Sequence, residues 1–152
     1  MIITGKGPQK SHYLSLITSL TASSKLEHVT ILTAWLSTED YALLLASADL
    51  GVSLHMSSSG VDLPMKVVDM FGAGLPIVGY CGYESWSELV YEGKNGRGFR
   101  TKEELCKLLV ELLNGSGRET QLEALRRGAL EEGKRRWDDE WDQVAGRVRG
   151  FI

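Results

Sequence analysis

The chain has 152 residues, 43% of them hydrophobic and 24% charged, with a formal net charge of −3. A single domain is expected at this length, burying about two thirds of its unfolded surface, and dispersed lysines and arginines in an acidic balance exclude the basic footprint of a nucleic-acid binder. Cys81 and Cys106 stand apart in apolar contexts, which points to reduced core thiols and not to a disulfide framework.

Met1 leads directly into Ile2-Ile3-Thr4, so no secretory leader is expected, and no later run approaches the ~18 apolar residues of a membrane span. The chain therefore reads as soluble. Ile2-Ile3-Thr4 predicts a strand that ends in Gly5-Lys6-Gly7-Pro8, and helical spacing of Tyr13, Leu16, Ile17 and Leu20 follows within residues 9–22. His28 to Thr33 predicts a second strand, and Tyr41, Leu44, Leu45 and Ala48 mark a helix face capped by Ser37 or Thr38. Leu50 to His55 is a third strand. It breaks into the hydroxyl-rich loop Ser57-Ser58-Ser59-Gly60, after which a helix starts near Pro64 and stops at Gly72-Ala73-Gly74.

Pro76 to Cys81 and a helix from Ser85 make the fourth unit, in which Ser85-x-x-Glu88 has capping-box spacing. Asn95-Gly96 turns into a short strand around Gly98-Phe99, and Thr101-x-x-Glu104 caps a helix with Leu105, Leu108, Leu109 and Leu112 on one face. After Gly115-Ser116-Gly117, a hinge candidate, two terminal helices are expected. One carries Leu122, Leu125 and Ala129, and the other Trp137, Trp141, Val144 and Val148. The alternation of strands and helices predicts an α/β class: one domain over 1–152, with a Rossmann-like parallel sheet covered by helices on both faces over 1–114 and terminal helices over 118–149.

In such a sheet, ligands sit beyond the carboxyl ends of the strands, and three loops leave that edge. Gly5-Lys6-Gly7 lets backbone amides approach a pyrophosphate, with Lys6 adding charge; an ordinary strand-to-helix turn is the alternative. In the second loop Trp35 either offers a free aromatic face or covers the edge of the core. The third, from Ser57 to the helix at Pro64, aims helix amides with a partial positive charge at its ligand, while Ser57, Ser58, Ser59 and the amide of Gly60 add donors. Lys66 and Asp69, three apart, share a helix face, as an exposed ion pair would. His55 faces the same edge, as a ligand contact or as a packed, hydrogen-bonded histidine. His12, His28 and His55 are too scattered for a metal site, so no metal and no other cofactor is expected.

The string Ser57-Ser58-Ser59-Gly60-Val61-Asp62-Leu63-Pro64-Met65-Lys66, followed by Asp69 and Gly74-Leu75-Pro76, resembles the nucleotide-sugar loop of GT-B glycosyltransferases. More narrowly it resembles the C-terminal domain of the β-1,4-mannosyltransferases of asparagine-linked glycosylation. The likeness extends from Ile2 through Trp35-Leu36 and Glu39-Asp40-Tyr41 to Arg136-Trp137-Asp138, nearly the whole chain but only about half of the family's enzyme.

The resemblance implies GDP-mannose as donor, bound by Gly5, Lys6, Gly7, Trp35, Ser57, Ser58, Ser59, Gly60, Asp62, Leu63, Pro64, Met65, Lys66 and Asp69. Trp35 would lie beside the guanine, Lys66 would meet a phosphate, Asp69 would accept ribose hydroxyls and Asp62 would serve the sugar. Val61 stands where many retaining GT-B enzymes carry a glutamate, eight positions before the ribose-binding acid, which agrees with an inverting subgroup.

The general base that inversion needs is not identifiable here, and it and the lipid-linked chitobiose acceptor are expected on an absent N-terminal domain. The implied setting is the cytosolic face of the endoplasmic reticulum, in assembly of the dolichol-linked N-glycan precursor. A noncatalytic short paralogue or fragment, binding nucleotide or a partner protein, is the alternative. The apolar stripe of the last helix further suggests self-association.

Overall fold

The computed structural model describes residues 1–56, 59–114 and 117–143. The chain divides into two compact units, Met1–Tyr41 and Ala42–Ile152.

In the first unit, β1 (Ile2–Thr4) pairs in parallel with β2 (Leu32–Ala34), Ile2 opposite Leu32 and Thr4 opposite Ala34. α1 (Lys10–Ala22) connects them. It closes in a Schellman motif in which Lys25 N–H reaches the Leu20 carbonyl and Ser24 N–H reaches that of Thr21, with Ser24 at φ 54°. The second strand thus begins later than the β-branched run from His28 suggests. Residues 23–28 form turns that finish the helix, and the ladder starts at the residue opposite Ile2. α2 (Thr38–Ser47) is capped by Ser37, whose hydroxyl accepts from the Asp40 N–H at 3.1 Å.

The second unit carries the larger parallel sheet, β3 (Gly51–Ser53), β4 (Ile77–Tyr80) and β5 (Gly96–Phe99), in that order. Side chains alternate across β4, so Ile77 and Val78, both fully buried, point into different layers. Ile77 packs with Val67 and Phe71 of α3 (Met65–Gly72), with Val90, and with Trp86 and Leu89 of α4 (Trp86–Leu89). Val78 packs on the other side with Phe99, with Leu108 and Leu112 of α5 (Lys102–Asn114), and with Leu125 of α6 (Arg118–Glu132). Ala129 of α6 joins the first layer, so this one helix contributes to both. The α/β, Rossmann-like class with helices on both faces is the observed one.

Two local devices place α3. At its end Leu75 N–H reaches the Met70 carbonyl and Gly74 N–H that of Phe71, each at 2.8 Å, a second Schellman motif. Gly74 has φ +70°, and a Cβ there would stand 2.5 Å from Leu130. At its start Pro64 is extended (φ −74°, ψ 99°) and is the cap residue, one position earlier than a proline inside the first turn.

The two capping-box spacings part company. Thr101 and Glu104 form the reciprocal pair, Glu104 N–H to Thr101 Oγ1 at 3.2 Å and Thr101 N–H to Glu104 Oε2 at 3.3 Å. Ser85 and Glu88 do not, because the Ser85 hydroxyl is bonded elsewhere. In the expected last helix, α7 (Trp137–Trp141), Trp141 is 43% exposed; Val144 and Val148 of its apolar stripe lie outside the described residues, as do Gly115 and Ser116 of the hinge candidate.

Candidate functional site

The first unit brings two of the expected loops together. Gly5 N–H donates to the Ala34 carbonyl at 3.2 Å, which sets the Gly5-Lys6-Gly7 turn beside the end of β2. Lys6 Nζ then lies 4.4 Å from the centre of the Trp35 ring. Trp35 is 60% exposed, so it does not cover a core edge; it offers a free-standing aromatic face already partnered by a cation.

In the second unit the connection after β3 and the connection after β4 meet at the carboxyl end of the sheet. His55 Nε2 lies 2.7 Å from Asp62 Oδ2, and because an ionised carboxylate only accepts, the ring nitrogen is the donor. The Ser59 hydroxyl donates to Asp62 Oδ1 at 3.2 Å. From the neighbouring connection Glu84 N–H donates to the Gly60 carbonyl at 2.9 Å, and the buried Ser85 hydroxyl donates to the Asp62 carbonyl at the same distance. Tyr83 sets its ring edge-on to His55, with centroids 6.0 Å apart at 90°, and also meets Trp86 edge-on. Trp86 in turn lies across Gly79 and its register partner Gly98, where a Cβ would come within 2.8 Å and 3.2 Å of the indole.

Burial works against the charge on Asp62, but the bonds from His55, its own amide and Ser59 outweigh it and hold the carboxyl below the ordinary carboxylate range. Burial, with Asp62 and Cys81 beside it, pushes the Tyr83 phenol upward. His55 is therefore the hydrogen-bonded histidine of the two possibilities considered. Tyr83 and Glu84 are participants that no motif flagged, and Ser85 was flagged only as a helix cap; the available signal was an aromatic and a hydroxyl on a loop leaving the same sheet edge.

Pro64 is buried and anchors the turn, whereas Leu63 and Met65 are 42% and 69% exposed. Lys66 and Asp69 both sit on the exposed side of α3, opposite buried Val67 and Phe71. Ser57 and Ser58 lie outside the described residues. Among the described residues, no group of three or more His, Cys, Asp and Glu side chains is placed to hold a metal ion, and no helix is long and apolar enough to cross a membrane.

No family model matches the chain. It is 59% identical over all 152 residues to the chitobiosyldiphosphodolichol β-mannosyltransferase of Arthroderma benhamiae, of which it spans 34%. The human protein of that name is 45% identical over 144 residues, 94% of this chain and 30% of its own length. An Arabidopsis thaliana relative named UDP-glycosyltransferase TURAN is 51% identical over 146 residues, 95% of this chain and 30% of its own length.

Among solved structures, Anabaena HepE in complex with UDP-glucose superimposes with a TM-score of 0.70 at 18% identity, over 99% of this chain and 40% of that one. The pneumococcal O-GlcNAc transferase GtfA in complex with UDP and GlcNAc gives 0.69 at 17% identity, over 97% and 29%. At such identities the likeness establishes the fold of the matched part alone. Along its whole length the chain is similar to chitobiosyldiphosphodolichol β-mannosyltransferases, of which it spans about a third.

Proposed function

We propose that the chain binds GDP-mannose as the donor-binding part of an inverting β-1,4-mannosyltransferase, without a metal. The reaction it serves is transfer of mannose to a chitobiose-diphosphate-dolichol acceptor at the cytosolic face of the endoplasmic reticulum. The observation that carries this reading is the His55–Asp62 bond just ahead of the Pro64 cap of α3, in a chain 59% identical to a protein named for that activity. In a single displacement an acceptor hydroxyl attacks the mannose anomeric carbon, the bond from that carbon to the GDP oxygen breaks, and a base takes the acceptor proton. The amides at the start of α3 and Lys66 stabilise the departing diphosphate, where negative charge develops. Asp69 accepts the ribose hydroxyls, and Asp62 serves the hexose. The acceptor and the base belong to the part of the relatives outside the match.

Calorimetry on the full chain with GDP, GDP-mannose and UDP, with and without EDTA, tests the donor reading. Weak binding of GDP in preference to UDP, unchanged by chelation, is expected. UDP is the competing nucleotide because the name of the plant relative and the ligand of HepE both carry it. Preference for UDP overturns the choice of donor, and loss of binding on chelation overturns the metal-free reading. Turnover of GDP-mannose and lipid-linked chitobiose by this chain alone, at an ordinary enzymatic rate, overturns the assignment of base and acceptor to the rest of the relatives.

A further inference from the structure

We propose that His55 is a positioning residue for the diphosphate. By holding Asp62 it sets where the turn through Ser59 and Gly60, and the first amides of α3, stand against the end of β3. The inference rests on the nucleotide reading above and adds to it a residue whose effect is confined to the phosphates.

His55 lies two residues beyond the last residue of β3, Ser53, and Asp62 two residues before Pro64, the cap of α3. Their 2.7 Å bond therefore joins the two ends of the connection. Within the turn the Ser59 hydroxyl also donates to Asp62, and from the neighbouring connection Glu84 N–H holds the Gly60 carbonyl and Ser85 holds that of Asp62. His55 supplies the tie to β3 itself. The edge of Tyr83, a side chain buried against Trp86, fixes the plane of the imidazole. Through Nε2 the ring acts on the Asp62 carboxylate.

The attraction of helix amides for an anion fades within the first turn, so a shift of the cap and first turn changes diphosphate affinity more than it changes contacts to a base or ribose. A single charge-assisted bond is at stake, which corresponds to about tenfold in affinity.

The test is calorimetry of the full chain with GDP and with GMP. His55→Phe keeps a ring against Tyr83 but lacks the donor, and His55→Gln returns an N–H at about the reach of Nε2. GDP affinity is expected to fall about tenfold in the phenylalanine variant, with GMP affinity nearly unchanged and most of the GDP loss recovered in the glutamine variant. If the phenylalanine chain does not fold, His55→Asn, polar but too short to reach Asp62, takes its place.

Wild-type GDP affinity in the donor-less variant, equal losses for GDP and GMP, or no recovery in the glutamine variant each overturns the role of His55. A wild-type chain that binds no GDP overturns the nucleotide reading itself, and the inference with it.

Discussion

The Ser85 hydroxyl donates to the main-chain carbonyl of Asp62 at 2.9 Å across 23 positions of sequence. It does so in place of capping its own helix, and the consequence separates two neighbouring side chains. Ser85→Ala removes a buried donor and leaves a carbonyl without it, an expected loss of about 1–3 kcal/mol of stability. Glu88→Ala is exposed and forms no box, so it is expected to stay within about 0.5 kcal/mol of wild type. Urea unfolding of the two variants distinguishes them, and equal losses would contradict the assignment of the Ser85 hydroxyl.

Asp69 and Asp62 are expected to differ in kind. Asp69 is exposed on α3, so Asp69→Ala is expected to lower GDP affinity by about 1.5–3 kcal/mol, the range for hydrogen bonds to a charged group, with little change in thermal midpoint. Asp62→Ala removes the acceptor of both His55 and Ser59, so the melting temperature falls as well. Paired calorimetry and thermal unfolding check both. An Asp69→Ala chain with a depressed midpoint and intact GDP affinity would show that this carboxylate serves the fold.

A base stacked on Trp35, as the donor reading expects, gives a direct optical signal. Its face carries the Lys6 ammonium at 4.4 Å, and a purine that stacks there competes with that cation. Adding GDP is expected to quench tryptophan emission, and Trp35→Phe is expected to abolish the change. A titration in which the variant quenches as fully as wild type would move the base elsewhere.

Acid should release the clasp. The folded Asp62 carboxyl is depressed below its ordinary value, so the stability it contributes is present above that ordinary value and is lost as the pH falls through the lower folded one. The difference in unfolding midpoint between wild type and Asp62→Asn is therefore expected to be present at about pH 5 and to close toward about pH 2. A difference that widens on acidification would mean that the carboxylate is not the stabilised form.

Most elements were legible in the chain, β2 excepted, where turns reach residue 28 and the ladder begins only at Leu32. Gly74 after an apolar helix face announced the end of α3, and Thr101 with Glu104 announced the start of α5, because both signals act within one turn of backbone. The resemblance of the serine-rich string was equally readable, since it is a matter of residue order.

Partner choice was not legible. Ser85-x-x-Glu88 and Thr101-x-x-Glu104 have identical spacing, yet only the second closes a box; the first lies beside a competing carbonyl that sequence order cannot bring near. The same holds for His55 and Asp62, and for Trp86 resting on Gly79 and Gly98 of paired strands. Local sequence determined most of the strand, turn and helix segments, because those preferences are set by dihedrals and bonds a few residues apart. The tertiary structure decided which polar groups meet, because parallel pairing sets the carboxyl ends of β3 and β4 side by side and makes neighbours of loops more than twenty residues apart.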